Sequence, residues 1–589
     1  MHKDEQDINF KSLFIPFTTL KATLILFLAG IAVFMNSLFN PFVYDDISNI
    51  VVSPSIRSLN NIPIFFYSSL TSPVTSNLKF LGAYYIPFLY TIYTIIYSVF
   101  GLNPLPFHLL QITMHIFVAL LIFLIFSKFF RRGLAFILSL TFLIHPINSE
   151  AVIYIAALQY PLFFLFSLSA FYLLIKSKGT LLSYKQLFLI ASLVFLSLLS
   201  KDTSILFIFI ILSYVLLFSP KNLKRLTAAF ALTFTIYFIL KFIASFYSLW
   251  TLFPSLIERA SFLTRLMSIP KIIFYYISKL FLPINFAIGQ EWLVKQISLQ
   301  NFYLPLVIDL LFFLILMLGG IFIYKKASNK SLRLYVFFAF WFCLSFGATL
   351  QIIPLSVTVA DRWFYFPMIG LLGMFGVFCS AFFERLKTKK LITNLTIILS
   401  IIAIFLLSIL TIVRNSQWKT PFILYNHDLQ YATESSTLNS YLGEILVNNG
   451  EFTKAKSYFE KARILNPLGD SLNALAYLSE QQKDYAKAKD MYWQNINLKN
   501  GLPKYISYEG LARISLFYEH NPQTTERISK AALKMYPNDE VLIKLLAFSE
   551  YFTQNKKDAL RIFQKLLNIA PNQENQKIYL MMQNNRLTF

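Results

Sequence analysis

Asp45 and Asp46 stand side by side in Asn40-Pro41-Phe42-Val43-Tyr44-Asp45-Asp46, directly beyond the first long apolar run of the chain. An acidic side chain carried into a bilayer costs roughly 2.5–3.5 kcal/mol on insertion scales, so a pair at this boundary implies solvent or a cationic partner. The bland reading is a turn or a helix cap; the chemical one is a base that takes a proton from a hydroxyl. Three other places carry charge into apolar sequence. His145-Pro146-Ile147-Asn148-Ser149-Glu150 closes one apolar helix, where a proline stop with a snorkelled His and a solvated Glu is the bland alternative. Lys201-Asp202 interrupts another apolar region, each charge having only the other as a helpful neighbour. Arg362, in Ala360-Asp361-Arg362-Trp363-Phe364-Tyr365-Phe366-Pro367, reads either as an interfacial anchor paired to Asp361 or as a phosphate clamp, since guanidinium binds phosphate oxygens bidentately. His108 and His115 share a helix face, but with no Cys or carboxylate at ligand spacing they read as packing residues rather than a metal site. No P-loop, GxGxxG or HExxH occurs, and nothing suggests nucleotide use.

The elements that must position these residues are membrane helices. Of 589 residues, 56% are hydrophobic and 14% charged, which excludes a water-soluble surface over most of the chain and identifies a polytopic membrane protein. The formal net charge of +23 does not indicate nucleic acid, because Lys and Arg cluster in short gaps between apolar runs. Such gaps are cytoplasmic loops under the positive-inside rule. The clusters are Lys128/Arg131/Arg132, Lys176/Lys178/Lys185, Lys221/Lys224/Arg225, Lys325/Lys326/Lys330/Arg333 and Arg385/Lys387/Lys389/Lys390. With Lys3 and Lys11 keeping the N-terminus inside and the first run retained as a signal anchor, about eleven crossings follow, and everything after Arg414 lies outside. Two long outside loops, at about 39–105 and 248–302, join Asp45, Asp46, Glu150, Lys201, Asp202 and Arg362 on that face. The first loop contains Tyr84-Tyr85-Ile86-Pro87-Phe88-Leu89-Tyr90-Thr91-Ile92-Tyr93, which suits a helix in the interface with Tyr at headgroup level. Residues 270–288 suit an interfacial or re-entrant segment. The two cysteines, Cys343 and Cys379, lie in apolar segments and supply neither a disulfide framework nor a metal site.

After Trp418 the composition turns soluble, Asn- and Lys-rich, dividing the chain into a membrane domain at 1–420 and a second domain at 425–589. Leu442-Gly443, Ala455, Phe459, Ala462 and Pro467 occupy the positions of the tetratricopeptide pattern, a helix-turn-helix unit of roughly 34 residues. Ala488/Tyr492 and Ala559/Phe563 repeat the Ala455/Phe459 pair, and Pro537 and Pro571 close later units. About four repeats fit, small residues letting paired helices approach and stacking burying a face that one repeat could not. The fold class is therefore all-α: a polytopic helical bundle followed by an α-solenoid.

In order along the chain these motifs resemble the transmembrane and tetratricopeptide repeat-containing O-mannosyltransferases and their bacterial relatives, within the C-type (GT-C) glycosyltransferases. The resemblance runs through Phe42-Val43-Tyr44-Asp45-Asp46, Tyr85-Ile86-Pro87-Phe88, Phe100-Gly101-Leu102-Asn103-Pro104 and Phe107-His108. It continues through His145-Pro146-Ile147, Glu150-Ala151-Val152, Ser200-Lys201-Asp202, Ala360 to Pro367, and Trp418 ahead of the repeats. It implies transfer of a mannose-like sugar from a polyprenyl-phosphate carrier to Ser/Thr hydroxyls of proteins on the outer or lumenal face. On that reading Asp45 or Asp46 is the acceptor base. Arg362 and Lys201 stabilise the departing phosphate, and His145, Glu150, Asp202 and Tyr85 support them. The lipid-linked sugar is the donor substrate; the sequence identifies no cofactor and does not settle dependence on a divalent cation. The lipid tail would lie beside the first loop, and acceptor proteins would come through the repeats.

Two departures stand against this. The family commonly has Arg where Ile86 stands, and a Gly-Arg-Lys/Ala-Asp motif where Ala157-Leu158-Gln159-Tyr160 stands here. They support the main alternative, a non-catalytic membrane scaffold using its repeats for protein interaction. A transporter ranks below both, since no internal symmetry relates the spans. The Asn-rich C-terminal domain contains no Asn-x-Ser/Thr sequon, which favours a bacterial inner membrane, with the repeats in the periplasm, over a secretory lumen.

Overall fold

Backbone buried in lipid must satisfy its own hydrogen bonds, and helices do so within one segment. The computed structural model describes residues 18–67, 85–246, 255–386, 390–467, 471–498, 504–569 and 573–588; Lys3, Lys11, Tyr84, Lys387, Lys389 and Pro571 lie outside them. The membrane part contains α1 (Thr19–Phe34), α2 (Pro87–Phe100), α3 (Pro104–Phe126), α4 (Arg132–Ile144), α5 (Ser149–Ile153), α6 (Gln159–Lys176) and α7 (Tyr184–Ser200). After these come α8 (Ile205–Phe218), α9 (Leu223–Phe246), α10 (Phe262–Phe281), α11 (Leu304–Lys326), α12 (Asn329–Gly347), α13 (Tyr365–Leu386) and α14 (Lys390–Ser416).

Among the described residues seven helical segments, containing α1, α3, α6, α9, α11, α13 and α14, are long and apolar enough to cross a membrane. The α4–α5 pair, bent by 51°, is an eighth if taken as one span, and Pro146 at the break removes the donor a continuous helix would need there. The expectation of about eleven crossings is met only if α7, α8 and α12 cross as well. α2 is apolar but only 14 residues long. α10 mixes exposed Phe262, Leu263 and Phe281 with Arg265, Lys271 and Lys279, a pattern suited to an interface rather than a span. α12 and α13 pack closely because α13 presents glycines: a Cβ on Gly370 would sit 2.6 Å from the Phe342 backbone nitrogen, and one on Gly373 2.2 Å from the Phe338 ring.

Beyond a short α15 (Pro421–Asp428) the chain forms helical hairpins. They are α16 (Ser436–Asn448) with α17 (Phe452–Leu465), α18 (Ser471–Gln481) with α19 (Tyr485–Asn497), α20 (Tyr505–Phe517) with α21 (Pro522–Leu533), and α22 (Glu540–Phe552) with α23 (Lys556–Ile569); α24 (Gln573–Gln583) follows. The small-residue logic of the sequence is realised here. Ala455, Phe459, Ala488, Tyr492, Ala559 and Phe563 are all buried; a Cβ on Gly443 would meet the Phe459 ring at 2.5 Å, and one on Gly510 the Tyr492 ring at 2.3 Å.

Solenoid and bundle are joined by buried charge. Arg414, near the end of α14, donates to both carboxylate oxygens of Asp428 at 2.7 and 3.0 Å, and the Ile288 N–H donates to the same carboxylate at 2.8 Å. Burial alone would raise the Asp428 pKa, but Arg414 and the hydrogen bonds hold it below the usual carboxylate value. From the loop after α10, Glu291 caps the first solenoid helix, accepting from the Ser436 N–H at 2.9 Å and from the Thr437 hydroxyl.

Candidate active site at the bundle rim

The loop after α1 places the two acidic residues by means of an unusual backbone. Tyr44 has φ +55°, a left-handed conformation that costs a non-glycine residue about 1–3 kcal/mol and persists only where neighbours enforce it. Its N–H donates to the Tyr425 hydroxyl at 3.0 Å, and its ring lies edge-on to Tyr154 and Tyr441, at centroid distances of 6.2 and 5.3 Å. Beyond this twist the two carboxylates have different fates. Asp46, 1% exposed, spends both oxygens on backbone: Oδ2 accepts from the Val43 N–H at 3.1 Å and Oδ1 from the Ala156 N–H at 2.7 Å. Asp45 is half-buried; its N–H donates to the Tyr154 hydroxyl at 3.2 Å, and its carboxylate takes a hydrogen bond from Tyr154. Burial pushes Asp46 up to about 8, against the amide donors that favour its ionised form. Asp45 is also raised by burial, opposed by Tyr154 and by the nearby Arg362 guanidinium.

Arg362 occupies the one-turn helix Asp361–Phe364 ahead of α13. Its partner is Glu150 of α5, not Asp361. Glu150, 2% exposed, accepts from the Arg362 guanidinium through Oε1 and from the Arg362 backbone N–H at 3.0 Å through Oε2. Asp361 instead accepts from the Tyr275 hydroxyl at 2.5 Å, since neighbouring side chains on so tight a turn point in different directions. Glu150 is thus buried and paired rather than solvated. The guanidinium carbon lies 5.6 Å above the Tyr154 ring, so Tyr154 touches the acid with its hydroxyl and the cation with its face. Sequence reasoning missed Tyr154; its place four residues after Glu150, on one helical face, was the available signal.

Lys201 lies beside this group. Its ammonium donates to the Gln159 side-chain oxygen at 3.1 Å and sits 4.1 Å above the Tyr160 ring. Asp202 turns away from it and pairs with Lys241 at 2.6 Å and with the Tyr237 hydroxyl. Tyr85 joins that second cluster, its ring 5.9 Å from Tyr237 and its hydroxyl donating to the Phe66 carbonyl at 2.8 Å. His145 is a structural cap: Nδ1 accepts from the Ile147 N–H at 3.2 Å, which leaves Nε2–H to donate to the Leu280 carbonyl at 3.1 Å. His108 and His115 are bound to the Asn40 carbonyl and to Tyr365 with the Leu143 carbonyl, respectively. Among the described residues no three His, Cys, Asp or Glu side chains gather as metal ligands would. The structure therefore brings together Asp45, Tyr154, Arg362 and Glu150, with Lys201 alongside, and sets Asp202, Tyr85 and His145 apart. A half-buried carboxylate near a guanidinium can pair a proton acceptor with stabilisation of a departing anion.

No family model matches the chain. Protein O-mannosyl-transferase TMTC3 of Homo sapiens is 22% identical over 561 residues, covering 86% of this chain and 60% of that protein. TMTC3 of Mus musculus is 23% identical over 586 residues, covering 90% and 61%, and Protein O-mannosyl-transferase F38B6.6 of Caenorhabditis elegans is 24% identical over 469 residues, covering 75% and 62%. The chain thus spans about three-fifths of the length of these curated relatives. The crystal structure of yeast Tom70 aligns at 13% identity with a TM-score of 0.20, covering 77% of this chain and 92% of that one, a likeness too low to carry any argument. The relatives align across most of the chain, which is thus similar along its length to proteins named protein O-mannosyl-transferases.

Proposed function

We propose that this protein is a membrane glycosyltransferase that moves a mannose-like sugar from a polyprenyl-phosphate carrier to Ser/Thr hydroxyls of envelope or secreted proteins. One observation carries the reading: Asp45 and Arg362 converge on Tyr154, one at its hydroxyl and the other over its ring. Asp45 is the acceptor base. Its raised pKa strengthens it as a proton acceptor while Arg362 keeps it ionisable. The hydroxyl oxygen attacks the anomeric carbon as its proton passes to Asp45, and the bond from that carbon to the phosphate oxygen breaks. The leaving phosphate keeps the electron pair, and cations rather than a general acid meet it. Arg362 and Lys201 supply them. Asp46 is a positioning residue that ties the acidic loop to the 155–157 turn.

The relatives named as protein O-mannosyl-transferases support this reading, as do membrane helices that suit a lipid-linked donor and repeats that suit protein acceptors. The site lies on the face predicted to be outside, which in a bacterial inner membrane is periplasmic. Purified protein incubated with radiolabelled polyprenyl-phosphate mannose and an envelope-protein acceptor tests it. Label appearing on acceptor Ser/Thr supports the reading; donor left intact with every polyprenyl-phosphate sugar supplied would return the protein to the scaffold class.

A further inference from the structure

We infer that the start of the solenoid belongs to the catalytic apparatus, with Tyr425 and Tyr441 as positioning residues that hold Tyr44 left-handed and so aim Asp45; this rests on Asp45 being the base. Tyr425 on α15 accepts the Tyr44 N–H at 3.0 Å, and Tyr441 on α16 presents its ring to that of Tyr44 at 5.3 Å. The two tyrosines stack on each other at 5.5 Å and 28°, so the bond and the ring contact act as one clamp. Each helix carrying a clamp residue is separately fixed to the bundle, α15 through Asp428 and Arg414, α16 through the Glu291 cap. Gly289, at φ +69°, completes the seat: a Cβ there would lie 3.4 Å from both the Tyr44 hydroxyl and Ser435 Oγ.

The strain determines what the clamp does. A tyrosine released from the left-handed region relaxes to ordinary φ. Asp46 is pinned through both oxygens, so the relaxation falls on Asp45, the one carboxylate of the pair not anchored to backbone amides. On this account the solenoid sets the aim of the base in addition to recruiting acceptor proteins, and anything that shifts α15 or α16 against the bundle alters turnover.

Three full-length variants test this by steady-state transfer and by amide hydrogen exchange over residues 43–46. Tyr425→Phe keeps the stack but removes the acceptor of the Tyr44 N–H, and Tyr441→Ala removes the ring contact. Both should lower kcat about tenfold, the size of losing one buried hydrogen bond or its equivalent, with KM for donor and acceptor unchanged. Both should also speed exchange at Tyr44 and Asp45 while leaving exchange beyond residue 471 as in wild type. Tyr441→Phe keeps the ring and should behave as wild type. Unchanged exchange, or faster exchange with wild-type kcat, overturns the inference. If the wild-type protein transfers no sugar, the catalytic reading fails by itself, and the exchange result then decides whether solenoid and loop are coupled.

Discussion

The rim of the bundle and the solenoid hold their shape chiefly over different distances along the chain. The solenoid is assembled from near neighbours: Gly443 receives Phe459, Gly510 receives Tyr492, and Ala559 and Phe563 lie on one helix. The rim is assembled from distant ones. Glu150 meets Arg362, the Tyr44 N–H finds Tyr425, and Asp46 finds Ala156. Packing of small against large residues tolerates distance from solvent at no electrostatic cost, whereas every charge brought into the rim must be answered by a partner. The solenoid is therefore built for stability in repeating increments; the rim spends stability on holding charge and strained backbone in place.

The contrast is open to mutation. The largest effect is expected where the regions join. Arg414→Met leaves buried Asp428 with only His427 and the Ile288 N–H as partners, which should cost about 3–5 kcal/mol and be read as a lowered midpoint in thermal unfolding in detergent. Phe563→Ala in the last hairpin should cost a similar 3–5 kcal/mol through a cavity. Its diagnostic is the absence of any change in transfer rate below the unfolding transition; a slowed rate would show that the far repeats also shape the rim. Asp46→Asn leaves at least one amide donor without its acceptor, costing about 1–3 kcal/mol, with faster exchange at Ala156 as the local readout. The smallest effect is on pH dependence. Asp45 acts ionised, so activity should rise with pH through a limb above the usual carboxylate range, because burial raises its pKa. Arg362 lowers that pKa, so Arg362→Gln should move the limb to higher pH as well as slow the reaction. A limb that stays put would separate the guanidinium from Asp45.

How far each region could be read in advance follows the same contrast. The all-helical class and the repeats were legible because their signals are local, a run of apolar residues or a small residue recurring at a fixed period. At the rim the residue types were legible and the pairings were not. A charge in apolar sequence announces itself, yet nothing in the sequence says that Arg362 pairs with Glu150 rather than with Asp361 beside it, or that Asp202 pairs with Lys241 rather than Lys201. The two Asp residues were equivalent in sequence; the Val43 and Ala156 N–H groups on Asp46 and the Tyr154 hydroxyl on Asp45 distinguish them. The departures from the family pattern also acquire a physical meaning. Gln159 and Tyr160 form the seat of Lys201, and Ile86 is buried at the start of α2, so neither position is an empty loss of charge.

The division of labour between the two acids is the centre of the account, and single-turnover transfer from labelled polyprenyl-phosphate mannose measures it most directly. Asp45→Asn keeps the size of the side chain and removes its basicity, so turnover should fall by about 10²–10⁴ while donor binding and the unfolding midpoint stay at wild-type values. Transfer by Asp45→Asn at the wild-type rate would contradict the assignment of Asp45 as the base.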